Sequence, residues 1–304
     1  MPDDRVNYPS NFQVESGCNL FLFGDYLYWI AQEDSLYYAQ SGSGNGHLQK
    51  VKPQWDSGSR IGTGLNFPKE GYDLIFTWTW FSTDASSKKG GSLLSMWARP
   101  DSPATTTSHF AKGKWDLDIQ LFDLEWGRSS WFGGHFSLRP FFGVRALFLQ
   151  QNLKNHYAYD TIPAVIGKVH AASDFQGSGM RAGAETRFAF AYGFSIYGNA
   201  SGSLLYGRFD ADFRLQEDRF TIGRAKDHFN QGISSLQLAL GLAWDAHFAR
   251  DRLHIEFHIG WEQNGWFGAN QMNHFMQEMG SGTYFQENSN LSLQGLVAGG
   301  RFDF

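Results

Sequence analysis

The chain closes on LVAGGRFDF (residues 296–304), where Leu296, Ala298, Gly300, Phe302 and Phe304 share one face of an extended strand and Val297, Gly299, Arg301 and Asp303 share the other. A soluble domain seldom needs an aromatic final residue, whereas a strand lying against lipid does. The same division recurs upstream. In RLHIEFHIGWE (252–262), Leu253, Ile255, Phe257, Ile259 and Trp261 oppose His254, Glu256, His258 and Glu262, which is the period of a strand and not of a helix.

Ten segments alternate in this way over about the 9 to 11 positions that a tilted membrane strand requires: 19–31, 58–67, 72–82, 115–126, 135–150, 179–191, 194–208, 233–248, 252–263 and 291–304. Long connections (32–57, 83–114, 151–178, 209–232, 264–290) take turns with short ones (Pro68–Gly71, Gly127–Gly134, Tyr192–Gly193, Ala249–Asp251). That asymmetry is expected of a bacterial outer-membrane barrel, with long loops outside and short turns in the periplasm. Aromatics gather at both ends of the segments. Phe67, Tyr72, Trp126, Trp131, Phe136, Tyr192, Phe194, Trp244, Phe248 and Phe304 lie near the short turns, and Trp29, Trp55, Trp80, Trp115, Phe148, Tyr206 and Trp261 near the long loops. The expected fold is therefore all-β: a transmembrane antiparallel β-barrel of about ten strands, within a range of roughly eight to twelve.

Composition agrees with a barrel. Aromatics form 17% of 304 residues and glycine contributes 35, mean hydropathy is −0.38, and no apolar run approaches the roughly 20 residues of a membrane helix. A net charge of −5 without a basic stripe gives no support for a nucleic-acid partner. The single cysteine, Cys18, cannot form an internal disulfide. The start, MPDDRVNYPSNFQVESG, has no charged and apolar leader, so an exported protein is expected to begin here after signal removal. Residues 1–18 read as a polar periplasmic extension and 19–304 as one barrel domain, because no linker separates periodic regions.

Four stretches carry a family resemblance: WDLDIQLFDLEWGR (115–128), LRPFFGVR (138–145), FQGSGMRAGAE (175–185) and GNASGSLLYG (198–207). They resemble the major outer-membrane protein family of Legionella and of chlamydia-like bacteria, whose members are described as pore-forming β-barrels. The resemblance is strongest over 115–207 and implies residence in the outer membrane. Proteins of this type often carry several cysteines for cross-linking between chains, and here Cys18 stands alone. The terminal Phe302 and Phe304 also resemble the signal by which the barrel-assembly machinery recognises its substrates.

The most enzyme-like residues are Asp116 and Asp118, with Asp245 and His247 further on, since omptin-type outer-membrane proteases combine spaced aspartates with an Asp-x-His pair. In a barrel the two pairs fall at opposite ends of their strands, about 25 Å of hydrocarbon apart, so no catalytic set is expected. His254 and His258 stand about 13 Å apart on one strand, too far to share an ion, and neither a metal site nor a cofactor is expected. Instead Arg139, Arg145, Arg181, Arg187 and Glu185 are expected to line the lumen opposite Asp116, Asp118, Asp245, His254, Glu256, His258 and Glu262, a charge division that would bias passing ions. A salt-bridged plug is the alternative, because ten strands fall near the closed end of the size range. Expected partners are outer-membrane lipids, the assembly machinery and small polar solutes or ions. The leading functional expectation is a porin-like diffusion barrel that also contributes to envelope structure. A non-conducting scaffold whose loops act as surface-binding elements comes second, and an outer-membrane enzyme third.

Overall fold

The computed structural model describes residues 8–9, 19–42, 46–67, 71–97, 107–160, 165–248, 253–275, 284–286 and 288–304. Cys18 and nearly all of the expected periplasmic extension lie outside them. Among the described residues there is no helix. Ten long strands form a ring: β1 (Leu20–Glu33), β2 (Trp55–Phe67), β3 (Tyr72–Ser95), β4 (Ser108–Arg128), β5 (Phe136–Tyr159), β6 (Ile166–Ala191), β7 (Phe194–Glu217), β8 (Phe220–Phe248), β9 (Leu253–Asn270) and β10 (Ser289–Asp303). Each pairs antiparallel with its sequence neighbours. The ring closes where β10 pairs with β1 from Leu291–Glu33 to Asp303–Phe21, and the Phe304 amide donates to the Leu20 carbonyl at 3.0 Å. Closure leaves no unpaired backbone edge in hydrocarbon, where each orphaned polar group costs several kcal/mol.

The strands are taller than a bilayer requires. β6 runs 26 residues and β8 runs 29, against about 9 to 11 for a span. The stretches 151–178 and 209–232, expected as long loops, are mostly paired strand: Tyr157 faces Gly167 across β5 and β6, and Phe213 faces Ala225 across β7 and β8. Strands β7 and β8 are joined by a turn at Asp218–Arg219. The opposite turn at Tyr192–Gly193 has positive φ at both residues (53° and 79°), the two-residue hairpin geometry that matches strand twist.

The expected strands stop short because the apolar and polar faces exchange partway along the tall strands. In β4, Phe122, Leu124 and Trp126 face outward with Asp123 and Glu125 inward; one turn of the pattern higher, Trp115, Leu117, Ile119 and Leu121 face inward and Lys114, Asp116 and Asp118 outward. The adjacent apolar pair Leu121–Phe122 marks the change. Lipid surrounds the lower part, so apolar residues point out; water surrounds the upper part, so they point in, as in a soluble barrel. This corrects the placement of Asp116 and Asp118, which do not line the lumen. Asp118 accepts from the Trp80 indole at 3.0 Å, and Asp116 meets Lys114 at 2.7 Å and Lys154 at 3.5 Å on the outer surface. Trp29 and Trp115 likewise leave the upper aromatic girdle for the interior, at 1% and 0% exposure.

Two aromatic girdles bound the outward apolar band. The lower one includes Phe67 and Tyr72 packed on Trp126 with ring centroids 5.5 and 5.6 Å away, and Phe302 beside Phe304 at 5.6 Å. The upper one includes Tyr28 on Trp55 at 5.4 Å and Trp55 on Trp261 at 5.9 Å. Above it the outer surface is ionic: Arg208 meets Asp210 at 2.9 Å, and Arg224 and Lys226 meet Asp212 at 3.5 and 3.4 Å.

Candidate functional site

Charged side chains from many strands converge in the lumen, and it is layered. At the level of the lipid band lies an ion-paired belt. Arg60 on β2 donates to Glu262 on β9 at 2.8 and 3.0 Å and to Asp25 on β1 at 3.3 Å. Gln237 on β8 donates to Glu262 at 2.8 Å, while its carbonyl accepts from Arg145 on β5 at 3.3 Å and Arg181 on β6 at 2.9 Å. Arg145 in turn grips Asp123 on β4 with two bonds of 2.6 and 2.7 Å, and Arg181 donates to Glu125 at 2.8 Å. Arg139 donates to Asp73 on β3 at 2.9 Å and lies 3.3 Å from Glu185. The path from Glu262 through Gln237 to Arg145 crosses the lumen and ties the β8–β9 pair to β5, with which it shares no backbone bonds.

Every guanidinium of the belt has a carboxylate partner. Four guanidinium groups meet carboxylates of Asp25, Asp73, Asp123, Glu125 and Glu262, and the side chains of Arg139, Arg145 and Arg181 are 8%, 2% and 4% exposed. The arginines expected to form one wall of a divided lumen are therefore each engaged with an acid. Paired fork-to-carboxylate contacts are the strong, geometry-specific kind, and burial raises the cost of losing either partner. Asp25, Arg60, Asp73, Asp123, Glu125 and Gln237 were missed by sequence reasoning. Counting inward and outward positions from the lower girdle residue Trp126 would have found Asp123 and Glu125, which alternate with Leu124 and Phe122.

Below the belt the mouth is polar and more open. Arg187 on β6 donates to Glu256 on β9 at 2.7 Å and stands 3.8 Å from Asp245. His258 approaches Asp25 at 3.1 Å, and His254 approaches Asp303 at 2.7 Å. Thus Glu185, Arg187, His254, Glu256, His258 and Glu262 do face the interior as expected. Asp245 and His247 also face it, at the end opposite to Asp116 and Asp118, and the two aspartate groups never meet.

Above the belt the interior is lined mainly by apolar side chains. Trp115, Leu117 and Ile119 of β4, Leu149 and Leu153 of β5, Phe175 of β6, and Phe209 and Phe213 of β7 are all at most 3% exposed. A hairpin of Tyr37–Ser41 and His47–Lys50 folds over this core, with Leu36, Tyr38 and Val51 buried in it, and Trp266, Ala269 and Met272 close the other side. Each large side chain buried in this way contributes about 1.5–3 kcal/mol. The cap is also bonded: the Tyr157 hydroxyl donates to the Tyr38 carbonyl at 2.6 Å, and the Gln151 amide donates to the Ala269 carbonyl at 3.2 Å. Burial pushes the Tyr157 phenol well above its ordinary value, which keeps it protonated and donating.

Comparison with solved structures finds outer-membrane barrels of very low sequence identity. The outer-membrane protease OmpT from Escherichia coli is 10% identical, with 94% of this chain and 97% of that one covered and a TM-score of 0.47. The toluene transporter TodX of Pseudomonas putida is 8% identical over 95% and 90%, TM-score 0.35. The translocator domain of the autotransporter NalP from Neisseria meningitidis is 12% identical over 95% and 90%, TM-score 0.26. No curated protein matches. The family described as Legionella pneumophila major outer membrane protein precursor matches residues 21–304, which covers the whole ring of strands. With this match over a closed ten-strand ring bounded by lipid-facing girdles, the chain belongs to that major outer-membrane protein family and resides in the outer membrane.

Proposed function

We propose that the protein is a structural outer-membrane barrel, closed to diffusion in its resting form, that carries a folded β-barrel head above the lipid. The observation that supports this reading most is the pair of successive closures. The Arg60–Glu262–Gln237–Arg145–Asp123 belt crosses the lumen at lipid level, and the apolar core with its hairpin cap fills the part above. A porin-like role would need both to part, breaking buried ion pairs that cost several kcal/mol each to separate. The head supports a display role, since its core is packed and its outer surface is ionic. The reading assigns no reaction to the barrel, because Asp116 and Asp118 lie outside and above while Asp245 and His247 lie inside and below.

Refolded protein in a planar bilayer tests the proposal. Membranes with folded barrels inserted are expected to show no reproducible unitary conductance steps at moderate voltage. Discrete steps from the unaltered chain would overturn the closed reading in favour of passive diffusion, and the belt arginines would then be its selectivity elements.

A further inference from the structure

The inner face of the β8–β9 hairpin holds a second cluster at the periplasmic mouth, separate from the belt. His247 and His254 are direct partners in the strand register, and Asp245 precedes His247 by two residues on the same face. One ligand atom from each of Asp245, His247 and His254 lies within 4.8 Å of the other two, and the imidazole rings stand 4.9 Å apart. Pairing across two strands achieves what spacing along one strand cannot, since His254 and His258 are held about 13 Å apart by strand rise.

The surroundings prepare the cluster for a cation. His254 Nδ1 lies 2.7 Å from Asp303 Oδ2, and Asp303, 1% exposed, is gripped by Arg301 at 2.6 Å. A carboxylate accepting from Nδ1 fixes the ring orientation and leaves Nε2 for a ligand, the arrangement found behind metal-binding histidines. His247 is exposed at the mouth, so an ion has a path from the periplasm. Arg187 is 3.8 Å from Asp245 but bonds Glu256 at 2.7 Å, which leaves the Asp245 carboxylate weakly engaged. Two imidazoles and one carboxylate suit zinc and its first-row neighbours better than calcium or magnesium. Tetrahedral bonds of about 2.0–2.1 Å would draw the ligand atoms closer by roughly 1 to 1.5 Å, within reach of side-chain rotation.

We propose that Asp245, His247 and His254 form a divalent transition-metal site of the zinc class at the periplasmic mouth, with Asp303 as positioning residue and solvent completing the coordination.

The test uses refolded full-length protein without a histidine tag, stripped with chelator and titrated with Co2+ as a spectroscopic probe and with Zn2+ by calorimetry. One equivalent is expected, with Zn2+ displacing Co2+. His247→Ala and Asp245→Asn should each weaken binding at least about tenfold, and Asp303→Asn about 10- to 100-fold. His135→Ala, in the β4–β5 turn, should leave binding unchanged. His247→Ala changes an exposed position and carries the test even if Asp303→Asn fails to fold. No saturable binding by the unaltered chain, equal binding by His247→Ala, or equal loss in His135→Ala would each overturn the proposal.

Discussion

Replacing Arg145 with Met tests whether the belt holds the barrel together or merely occupies it. Arg145 is 2% exposed and contributes both short bonds to Asp123; the next cation, Arg181, is 4.0 Å from Asp123. Removing Arg145 strands a buried carboxylate with one distant partner, a loss of about 3–5 kcal/mol. It also removes the guanidinium packed 5.5 Å from the Trp266 ring, worth about 1 kcal/mol of that total. The double variant Asp123→Leu/Arg145→Met removes both charges and keeps the volume. Its stability should return to within about 1 kcal/mol of the parent or exceed it. Urea unfolding in detergent micelles measures both, with unchanged slopes confirming that the same surface is exposed. The coupling energy between the two positions should then exceed about 3 kcal/mol. If Arg145→Met costs less than about 1 kcal/mol, or the two losses simply add, the belt is not a cooperative element and the reasoning fails.

Four further outcomes follow from the same structure. Glu33, buried above the upper girdle, has its carboxyl pushed up to about 7 by burial, against hydrogen bonds from Ser289 and Asn270 that pull it down. The folded chain thus keeps a proton that the unfolded chain releases from about pH 4.5 upward, so stability should fall between pH 4.5 and 7 by at most on the order of 3 kcal/mol; Glu33→Gln should flatten that slope, and an unchanged slope would exclude Glu33 as its source. Gly193→Ala should destabilise by about 1–3 kcal/mol, because φ is 79° and a Cβ would stand 2.2 Å from the Asp245 carbonyl oxygen; a neutral result in urea titration would contradict the turn geometry. Asp116→Asn on the outer surface should change stability by less than about 1 kcal/mol, whereas a lumen residue of equal burial to Arg145 would not be so tolerant. Deleting Phe304 should impair membrane assembly in cells more than refolding in detergent if the terminal aromatic is an assembly signal; equal losses would make it a stability residue alone.

The ring of ten strands, their order and the closing role of LVAGGRFDF were legible because hydrocarbon enforces apolar alternation on the outward face, from Leu22 through Phe302. The interior was only half legible. Arg139, Arg145 and Arg181 could be placed because each sits between outward apolar residues in a lipid-facing stretch, and Arg187 because it keeps the phase of Arg181 beside outward Phe188. Asp116 and Asp118 could not, since the alternation in WDLDIQLFDLEW looks continuous until the Leu121–Phe122 pair is read as a reversal of inside and outside. That pair signals a change of solvent, which composition and period alone do not encode. The same reversal hid the upper halves of β5 through β8, whose tips contain Lys, Asp and Gln on the water-facing side and so resemble loops. Partners across the lumen, such as Gln237 for Arg145, depend on which strands oppose each other in a closed ring, and linear spacing carries no record of that.

The tall strands have a mechanical consequence. From Phe148 at the upper girdle, β5 continues for eleven residues to Tyr159, which at strand rise and barrel tilt lifts its tip roughly 30 Å above the lipid. Because that column has a packed interior, it behaves as a stiff post and not as a tether. Whatever the Asp218–Arg219 turn presents is thus held at a set distance from the cell. That turn can change in length or sequence without altering how far the shaft reaches, so variation at the tip and constancy of the shaft can coexist in one chain.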